Sequence, residues 1–186
     1  MRSILLIIIA LFLSTGINAQ HTKLTKEQKQ EVALKKKAER NAKIDSTYKE
    51  TAKLLEGRRF ILQADYLRNR SGYQRPSSQT LNFISIDSLA AVIQIGSNQA
   101  AGYNGVGGIT NEGKVTNWKL DKNDKKKTFT LNFTVPTNFD VYDIVIYIDY
   151  EKRASATITG MRAGRITYEG YLRALEDATI FKGMSH

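Results

Sequence analysis

The chain of 186 residues contains no cysteine and only two histidines, His21 and His186. Without cysteine it can form neither a disulfide nor a thiolate nucleophile, and it cannot hold a cysteine-ligated zinc ion. The two histidines lie near the ends of the chain, where residues are usually poorly ordered. A Ser–His–Asp triad or a histidine metal site needs an imidazole fixed inside the fold. We therefore predict no catalytic residue, no metal ligand and no cofactor.

Long apolar runs are also missing, with one exception at the N-terminus. Arg2 precedes the apolar run Ile4–Leu13, and small and polar residues follow as far as Ala19. This layout is typical of a secretory signal peptide, with cleavage predicted after Ala19. An uncleaved N-terminal anchor is the alternative, although the run is shorter than the roughly 20 apolar residues of a membrane span. We expect an exported protein of the periplasm or cell surface, with no stable membrane span after signal cleavage.

Acidic residues are few relative to basic ones, since 18 Asp and Glu face 28 Lys and Arg and the formal net charge is +10. An exported basic protein meets anionic envelope surfaces, acidic polysaccharide or acidic proteins rather than chromosomal DNA. The basic residues are spread along the chain, so solubility is the simpler explanation of the charge. We predict an unknown envelope ligand or protein as the partner, and no nucleic acid.

The segment 20–57 has the composition of a charged helix. It contains no proline, its only glycine is Gly57, and Lys, Glu, Gln and Ala dominate. Thr25 and Gln28 have the spacing of a capping box, and Gly57 is a natural C-terminal stop. A narrow apolar stripe runs through the C-terminal half, at Ile44, Tyr48, Ala52 and Leu55. We predict that this half docks on the rest of the domain and that the N-terminal half is solvated, frayed or used as a spacer. A basic membrane-surface helix is the alternative, although the segment lacks the Trp-, Phe- and Leu-rich face of such helices.

The segment 58–186 changes to a period of two. In "TFTLNFTV", residues 128–135, apolar and polar side chains alternate without fault, and similar short stretches rich in β-branched and aromatic residues recur. Short turns between them favour antiparallel neighbours. We therefore predict an α+β fold in which the N-terminal helix packs on an antiparallel meander of about eight strands. The alternation fits both a strongly curled sheet and a small barrel. The predicted domains are 1–19, signal peptide; 20–57, charged helical extension; and 58–186, β-rich domain.

Glycines concentrate in "SNQAAGYNGVGGITNEGKV", residues 97–115, which connects two predicted strands. The segment lacks the Walker and dinucleotide-binding patterns, and a strand rather than a helix follows it, so a phosphate cradle is disfavoured. Loops of this length tend to be functional or disordered, and the glycines predict positive φ at one or more of three positions, 105, 107 and 108. The candidate binding residues are Tyr103, Asn104, Gly105, Gly107, Gly108, Thr110, Asn111 and Glu112.

Three other groups of polar residues are weaker candidates. Asp143 with Glu169 could supply the paired carboxylates of a hydrolase, although strand charges are more often simply exposed. "LDKNDKKK", residues 120–127, has acidic residues but three lysines follow, and it reads as a hairpin turn rather than a calcium loop. The arginines and the tyrosine of "LRNRSGYQRPS", residues 67–77, could bind acidic sugars or phosphates, or form a solvated loop.

Several stretches together resemble a known family. They are "GRRFILQAD", "LNFISID", "AVIQIGS", "YNGVGGITNEGKV", "ASATITG" and "RITYEGYL". They resemble the domain of unknown function 4251, which occurs in exported proteins of Bacteroidota-type bacteria. The resemblance covers nearly all of 57–183, and Asn104–Gly113 is its most specific segment. It implies export and a β-rich domain, and it supplies no activity, cofactor or site residue.

The leading functional hypothesis is a non-enzymatic binding or interaction module of the cell envelope, because fixed His and Cys are lacking beside a long polar glycine loop. One alternative is a hydrolase that uses two carboxylates. The other is a small barrel that holds an apolar ligand, which would need an enclosed cavity.

Overall fold

The computed structural model describes residues 25–97, 104–162 and 164–185. They form one long α-helix, α1 (Lys26–Glu56), ten β-strands and a short 3-10 helix, Leu175–Asp177. The strands are β1 Arg59–Asn69, β2 Gln74–Pro76, β3 Phe83–Asp87, β4 Ala90–Ile95, β5 Ile109–Lys114, β6 Thr116–Asn123, β7 Thr128–Pro136, β8 Val141–Ile148, β9 Arg153–Gly160 and β10 Gly164–Ala174. The extended residues 178–185 after the 3-10 helix are called the C-terminal tail below.

Two compact units divide the chain between Glu39 and Arg40. In the first unit, the described residues 25–39 are the N-terminal part of α1 and are all exposed. The helix begins with the predicted capping box, because the backbone N–H of Thr25 donates to the Gln28 side chain at 2.9 Å and the N–H of Gln28 donates to the Thr25 hydroxyl at 3.3 Å. Within the part of the chain that is described, no helix has the length and apolarity needed to cross a membrane.

The second unit holds the sheet, whose strands follow the order β5-β4-β3-β1-β10-β9-β8-β7-β6, with β2 paired to β1. All pairs are antiparallel. The predicted α+β fold is confirmed. The strands β6–β10 form one meander and β3–β5 another, and β1 joins them because it pairs with both β3 and β10. The prediction of about eight strands missed β2, which is three residues long, and β5, which lies inside the predicted glycine loop.

The two edge strands of the sheet, β5 and β6, are consecutive in the chain, so the sheet curls until its edges lie close together. A single residue, Val115, separates β5 at one edge from β6 at the other, and Val115 is itself buried. At this seam the backbone of Gly113 lies against Pro136 at the end of β7, so close that a Cβ at Gly113 would overlap the Pro136 carbonyl oxygen. The described strands form no hydrogen-bonded ladder across the seam, so the sheet is strongly curled and unclosed.

The C-terminal half of α1 fills the concave side of the sheet. Tyr48, Thr51 and Leu55 are buried, and the Tyr48 ring stacks on Phe129 with centroids 4.6 Å apart. The inward residues of β7, from Phe129 to Val135, join the same core as Leu55. The predicted docking of this half of the helix is confirmed. A solid core therefore occupies the space where the apolar-ligand alternative required a cavity.

Candidate functional site

Asn104, a predicted loop residue, is buried and organises the segment around it. Its side-chain oxygen accepts hydrogen bonds from the backbone N–H groups of Val106 at 3.0 Å and Gly108 at 2.9 Å. Its side-chain nitrogen donates to the Thr110 hydroxyl at 3.0 Å, and its backbone oxygen accepts the N–H of Met184 at 3.0 Å. Asn104 thus uses its polar groups within the protein, and it fixes both the loop and the C-terminal tail.

Two different structural requirements explain why the loop has glycine at positions 105, 107 and 108. Gly105 has a φ of +73° and Gly107 a φ of +76°, which is the left-handed region that side chains other than glycine rarely adopt. This confirms the predicted positive φ. Gly108 is required by close approach, because a Cβ there would overlap the carbonyl oxygen of Ile95. The glycine pattern is therefore explained by backbone geometry.

Gln94, at the end of β4, links the loop to the tail and is fully buried. Its side-chain oxygen accepts the Thr110 hydroxyl at 2.9 Å and the Gly183 N–H at 2.8 Å. Its side-chain nitrogen donates to the backbone oxygens of Leu81 at 3.1 Å and Phe181 at 2.8 Å. Gln94 is not among the residues predicted for the site, although a glutamine inside the apolar stretch "AAVIQI" is the signal that could have indicated it.

Asn111 lies on β5 in the same cross-strand row as the core residues Ile93 and Ile84, so its side chain enters the interior. Its side-chain nitrogen donates to the hydroxyl of Tyr142 at 3.0 Å, while its side-chain oxygen is buried without a partner. Burial, with the nearby charge of Asp140, raises the pKa of Tyr142. Asn111 and Tyr142 therefore form a buried polar pair between β5 and β8, on opposite sides of the seam.

Glu112 is exposed and forms an ion pair with Lys182 of the C-terminal tail, with 2.7 Å between the lysine Nζ and the carboxylate Oε1. Hydrogen bonds from Lys182 and Ser185 hold the pKa of Glu112 below its ordinary value. The last predicted residue, Tyr103, lies outside the described residues. The structure thus brings the described candidate residues together. Their contacts are mainly with the protein itself, and several of them hold the C-terminal tail in place.

A surface cleft with a volume of about 700 Å³ opens next to this support. We call it the arginine cleft. It is lined by Leu67, Arg68, Asn69, Tyr73, Arg75, Pro76, Ser77, Ser78, Asn82, Ile95, Gly96, Ser97, Gly107 and Ile166. It therefore joins the "LRNRSGYQRPS" stretch to the start and middle of the glycine loop, two features that are distant in the sequence.

The floor of the arginine cleft is apolar. Leu67, Ile95 and Ile166 are partly buried and pack against the core. Arg75 lies directly opposite Leu67 in the β1–β2 pairing, so both side chains project from the same face of the sheet. The guanidinium group of Arg75 is thereby placed beside apolar surface, which is an arrangement suited to a ligand with both an anionic and an apolar part.

Positive charge in the arginine cleft is only partly neutralised. Arg68 is ion-paired with Glu169, and its Nε is buried without a hydrogen-bond partner. The Arg75 side chain is exposed and forms no ion pair or hydrogen bond with the described residues. No aspartate or glutamate is among the described residues that line the cleft. An Arg75 guanidinium can therefore offer a bidentate contact to a carboxylate or phosphate.

The structure does not bring together the two carboxylates of the hydrolase alternative, Asp143 and Glu169. Glu169 on β10 lies opposite Ser155, which lies opposite Tyr147, and Asp143 is four residues from Tyr147 along β8. Strand spacing and rise then separate the Cα atoms of the two residues by about 16 Å, too far for the roughly 5–10 Å carboxylate separation of glycosidases to be expected. Asp143 instead accepts the Thr134 hydroxyl at 2.8 Å. The described residues contain no group of three or more His, Cys, Asp or Glu that could hold a metal ion.

Comparisons with known proteins give one family and one fold. The family model of the domain of unknown function DUF4251 matches residues 42–172. A crystal structure of a DUF4251 family protein from Bacteroides eggerthii is similar to this chain, with 24% identity and a TM-score of 0.61, over 73% of this chain and 93% of that one. A search of the curated proteins found no match.

Proposed function

The chain belongs to the DUF4251 family, a domain of unknown function, and on that premise we propose that it is an exported, non-enzymatic binding module of the cell envelope. Its ligand-binding region in this proposal is the arginine cleft. The observation that carries the proposal is Arg75, an unpaired cation beside the apolar floor of a cleft that no described acidic residue lines.

The size and lining of the arginine cleft support this proposal. Small-molecule sites are usually concave, of roughly 300–1,000 Å³, largely apolar and furnished with a few polar groups. The cleft has hydroxyls from Tyr73 and Ser78, and its backbone wall at Gly96 and Gly107 lacks side chains that would block a ligand. Its ligand is therefore a small amphipathic anion, with the acid group on Arg75 and the apolar part on the floor.

The glycine loop supports such a site indirectly. Asn104 and Gln94 hold the loop against the C-terminal tail through buried hydrogen bonds. These bonds fix the position of Gly107 at the wall of the cleft. A preformed wall reduces the conformational entropy that binding would otherwise cost. In this proposal the segment Asn104–Gly113 holds the wall of the cleft in position, and most of its side chains do not contact the ligand.

A thermal-shift titration with octanoate and octanol tests the proposal on the purified chain 20–186. Octanoate is expected to raise the melting temperature and octanol to do so less, because binding to the native state stabilises it by mass action. Arg75→Gln should abolish the difference between the two probes. Arg70→Gln is the matched control, because Arg70 is an exposed arginine of the same stretch that does not line the cleft.

Two results would contradict the proposal. One is the absence of any stabilisation by octanoate in the unchanged chain up to millimolar concentration. The other is an octanoate shift of equal size in the Arg75→Gln and Arg70→Gln variants, which would place the anion elsewhere on this basic protein. Circular dichroism of each variant verifies that the fold is retained.

The export part of the proposal rests on the segment Ile4–Ala19, which is outside the described residues. Expression of the full chain in a Gram-negative host, followed by fractionation and N-terminal sequencing, tests it. We expect the mature protein outside the cytoplasm and beginning at Gln20. Recovery of an intact chain starting at Met1 in the cytoplasm would contradict it.

A further inference from the structure

A second, separate cavity lies on the convex face of the sheet, and three tyrosines surround it. It has a volume of about 320 Å³, and we call it the tyrosine pocket. It is lined by Asp65, Tyr66, Tyr147, Asp149, Arg153, Ala154, Ser155, Glu169, Gly170 and Tyr171. None of these residues lines the arginine cleft, so the two cavities can be tested independently.

The strand register explains why the three rings surround one spot. Tyr147, Ser155, Glu169 and Tyr66 are successive partners across β8, β9, β10 and β1, so they form one row on the same face. Tyr171 follows Glu169 by two residues on β10 and projects from that face as well. Ser155, which lies between Tyr147 and Glu169 in this row, has a small side chain that leaves space between the rings.

The three tyrosine side chains are partly exposed to solvent. Tyr66, Tyr147 and Tyr171 are 45%, 49% and 39% exposed, whereas Tyr168 on the opposite face of β10 is fully buried. The exposed faces of aromatic rings carry partial negative charge and attract cations. A group of such rings around one cavity is the arrangement by which proteins bind quaternary ammonium ions.

The charges around the tyrosine pocket have the sign that a cation requires. Three carboxylates, Asp65, Asp149 and Glu169, line it against one guanidinium, Arg153, although the whole chain carries a net charge of +10. The Arg153 charge is balanced by an ion pair with Glu151, and Glu169 is paired with Arg68.

The carboxylates of Asp65 and Asp149 keep one oxygen each for a ligand. Asp65 accepts the Gln79 side chain through Oδ1, and Asp149 accepts two backbone N–H groups through Oδ1. The Oδ2 atoms of both residues accept no hydrogen bond from the described residues. Asp149 also interacts electrostatically with Arg153, and the two acids together add negative charge beside the rings.

From the rings and the charges together, we propose that the tyrosine pocket binds a small organic cation of the quaternary ammonium class. The rings supply cation–π contact to the methylated ammonium group, and Asp149 and Asp65 supply its counter-charge. A quaternary ammonium is favoured over a metal ion because it is weakly hydrated and needs no close coordination by oxygen.

Choline and its uncharged isostere 3,3-dimethylbutan-1-ol are the probes, and NMR titration of the chain 20–186 is the measurement. Choline is expected to shift resonances of the pocket residues with millimolar affinity, and the isostere is expected to bind at least tenfold more weakly. Tyr147→Leu should weaken choline binding about three- to fivefold, the loss of one cation–π contact at an exposed site. Asp149→Asn should weaken it as well, while retaining an oxygen for the two backbone N–H groups.

Matched controls come from the same strand and from the other cavity. Asp143→Asn removes an exposed carboxylate of β8 that does not line the pocket, and Tyr73→Leu removes an exposed tyrosine of the arginine cleft. Neither should change the choline affinity. Equal binding of choline and its isostere, no shift with choline at 50-fold the concentration of protein and above, or equal losses in Asp149→Asn and Asp143→Asn would each overturn the proposal.

Discussion

The side-chain oxygen of Gln94 accepts a 2.8 Å hydrogen bond from the backbone N–H of Gly183, 89 residues further along the chain. The same oxygen accepts the hydroxyl of Thr110, whose own oxygen accepts the Asn104 side chain. One fully buried amide thus joins β4, β5, the glycine loop and the C-terminal tail. A polar residue in this position is stabilising only while each of its partners is present.

Replacement of Gln94 by leucine is therefore expected to lower the free energy of unfolding by about 3 kcal/mol. The leucine would leave the Gly183 N–H and the backbone oxygens of Leu81 and Phe181 without partners. Urea denaturation followed by circular dichroism measures the change. Gln74→Leu is the control, because Gln74 is exposed and donates only to Glu169, and it should change the stability by less than about 0.5 kcal/mol.

Loss of this amide should also release the tail. The Lys182–Glu112 ion pair is exposed and by itself too weak to hold the tail in place. Hydrogen exchange should therefore become faster at the amides of 181–184 in Gln94→Leu than in Gln74→Leu. Equal exchange in the two variants would contradict a role of Gln94 in tail docking.

The two explanations for the loop glycines predict losses of stability of different size on substitution. Gly108→Ala should destabilise the protein by about 2 kcal/mol or more, because the added Cβ would overlap the Ile95 carbonyl oxygen. Gly105→Asn should cost less than about 1 kcal/mol, since asparagine tolerates positive φ and a Cβ there would have only Met184 nearby, at 3.9 Å. Equal losses of stability in the two variants would refute the close-approach explanation for Gly108.

The Asn111–Tyr142 pair is predicted to be strongly non-additive. Tyr142→Phe alone should destabilise by about 1–2 kcal/mol, because it leaves the buried Asn111 amide without its one side-chain partner. The double variant with Asn111→Leu should recover most of this loss, since both polar groups are then removed from the interior. A double-mutant cycle from urea denaturation measures the coupling, and simple additivity would show that the hydrogen bond is unimportant.

The free energy of unfolding is predicted to depend on pH in the alkaline range because of Tyr48. Its hydroxyl donates to Asp124 at 2.7 Å, and burial, followed by that hydrogen bond and the Asp124 charge, raises its pKa to about 12. A raised pKa means that the unfolded chain loses this proton first, near its ordinary value of about 10. The stabilisation is therefore complete below pH 10 and declines as the pH rises from 10 to 12.

The variant Tyr48→Phe isolates this contribution from the titration of the lysines. At pH 8 the unchanged protein should be more stable than the variant by about 1 kcal/mol, the usual worth of one such hydrogen bond. The advantage should shrink steadily between pH 10 and 11.5 in urea denaturations carried out on both proteins. A difference that stays constant over that range would contradict the assigned shift.

The period of the sequence was sufficient to predict eight of the ten strands of the second unit, but not the three-residue β2 or β5 inside the glycine loop. Strict alternation in "TFTLNFTV" placed Phe129 and Leu131 in the core, and both are buried. The stripe of Tyr48 and Leu55 identified the docking face of α1, because apolar residues at helical spacing lie on one side of a helix and that side is buried against the core. The capping box and the positive φ of Gly105 were also predicted, since they depend on a few neighbouring residues only.

What the sequence by itself determined was local: the helix, the alternation of most strands, and the places where the backbone must turn or approach closely. The tertiary structure decided the rest. That β1 lies between β3 and β10, that the tail docks on Gln94, and that Arg75 and Gly107 line one cleft depend on pairings between residues far apart in the chain. Such pairings depend on how well many side chains from distant parts of the chain are buried at the same time. No short stretch of sequence contains that information.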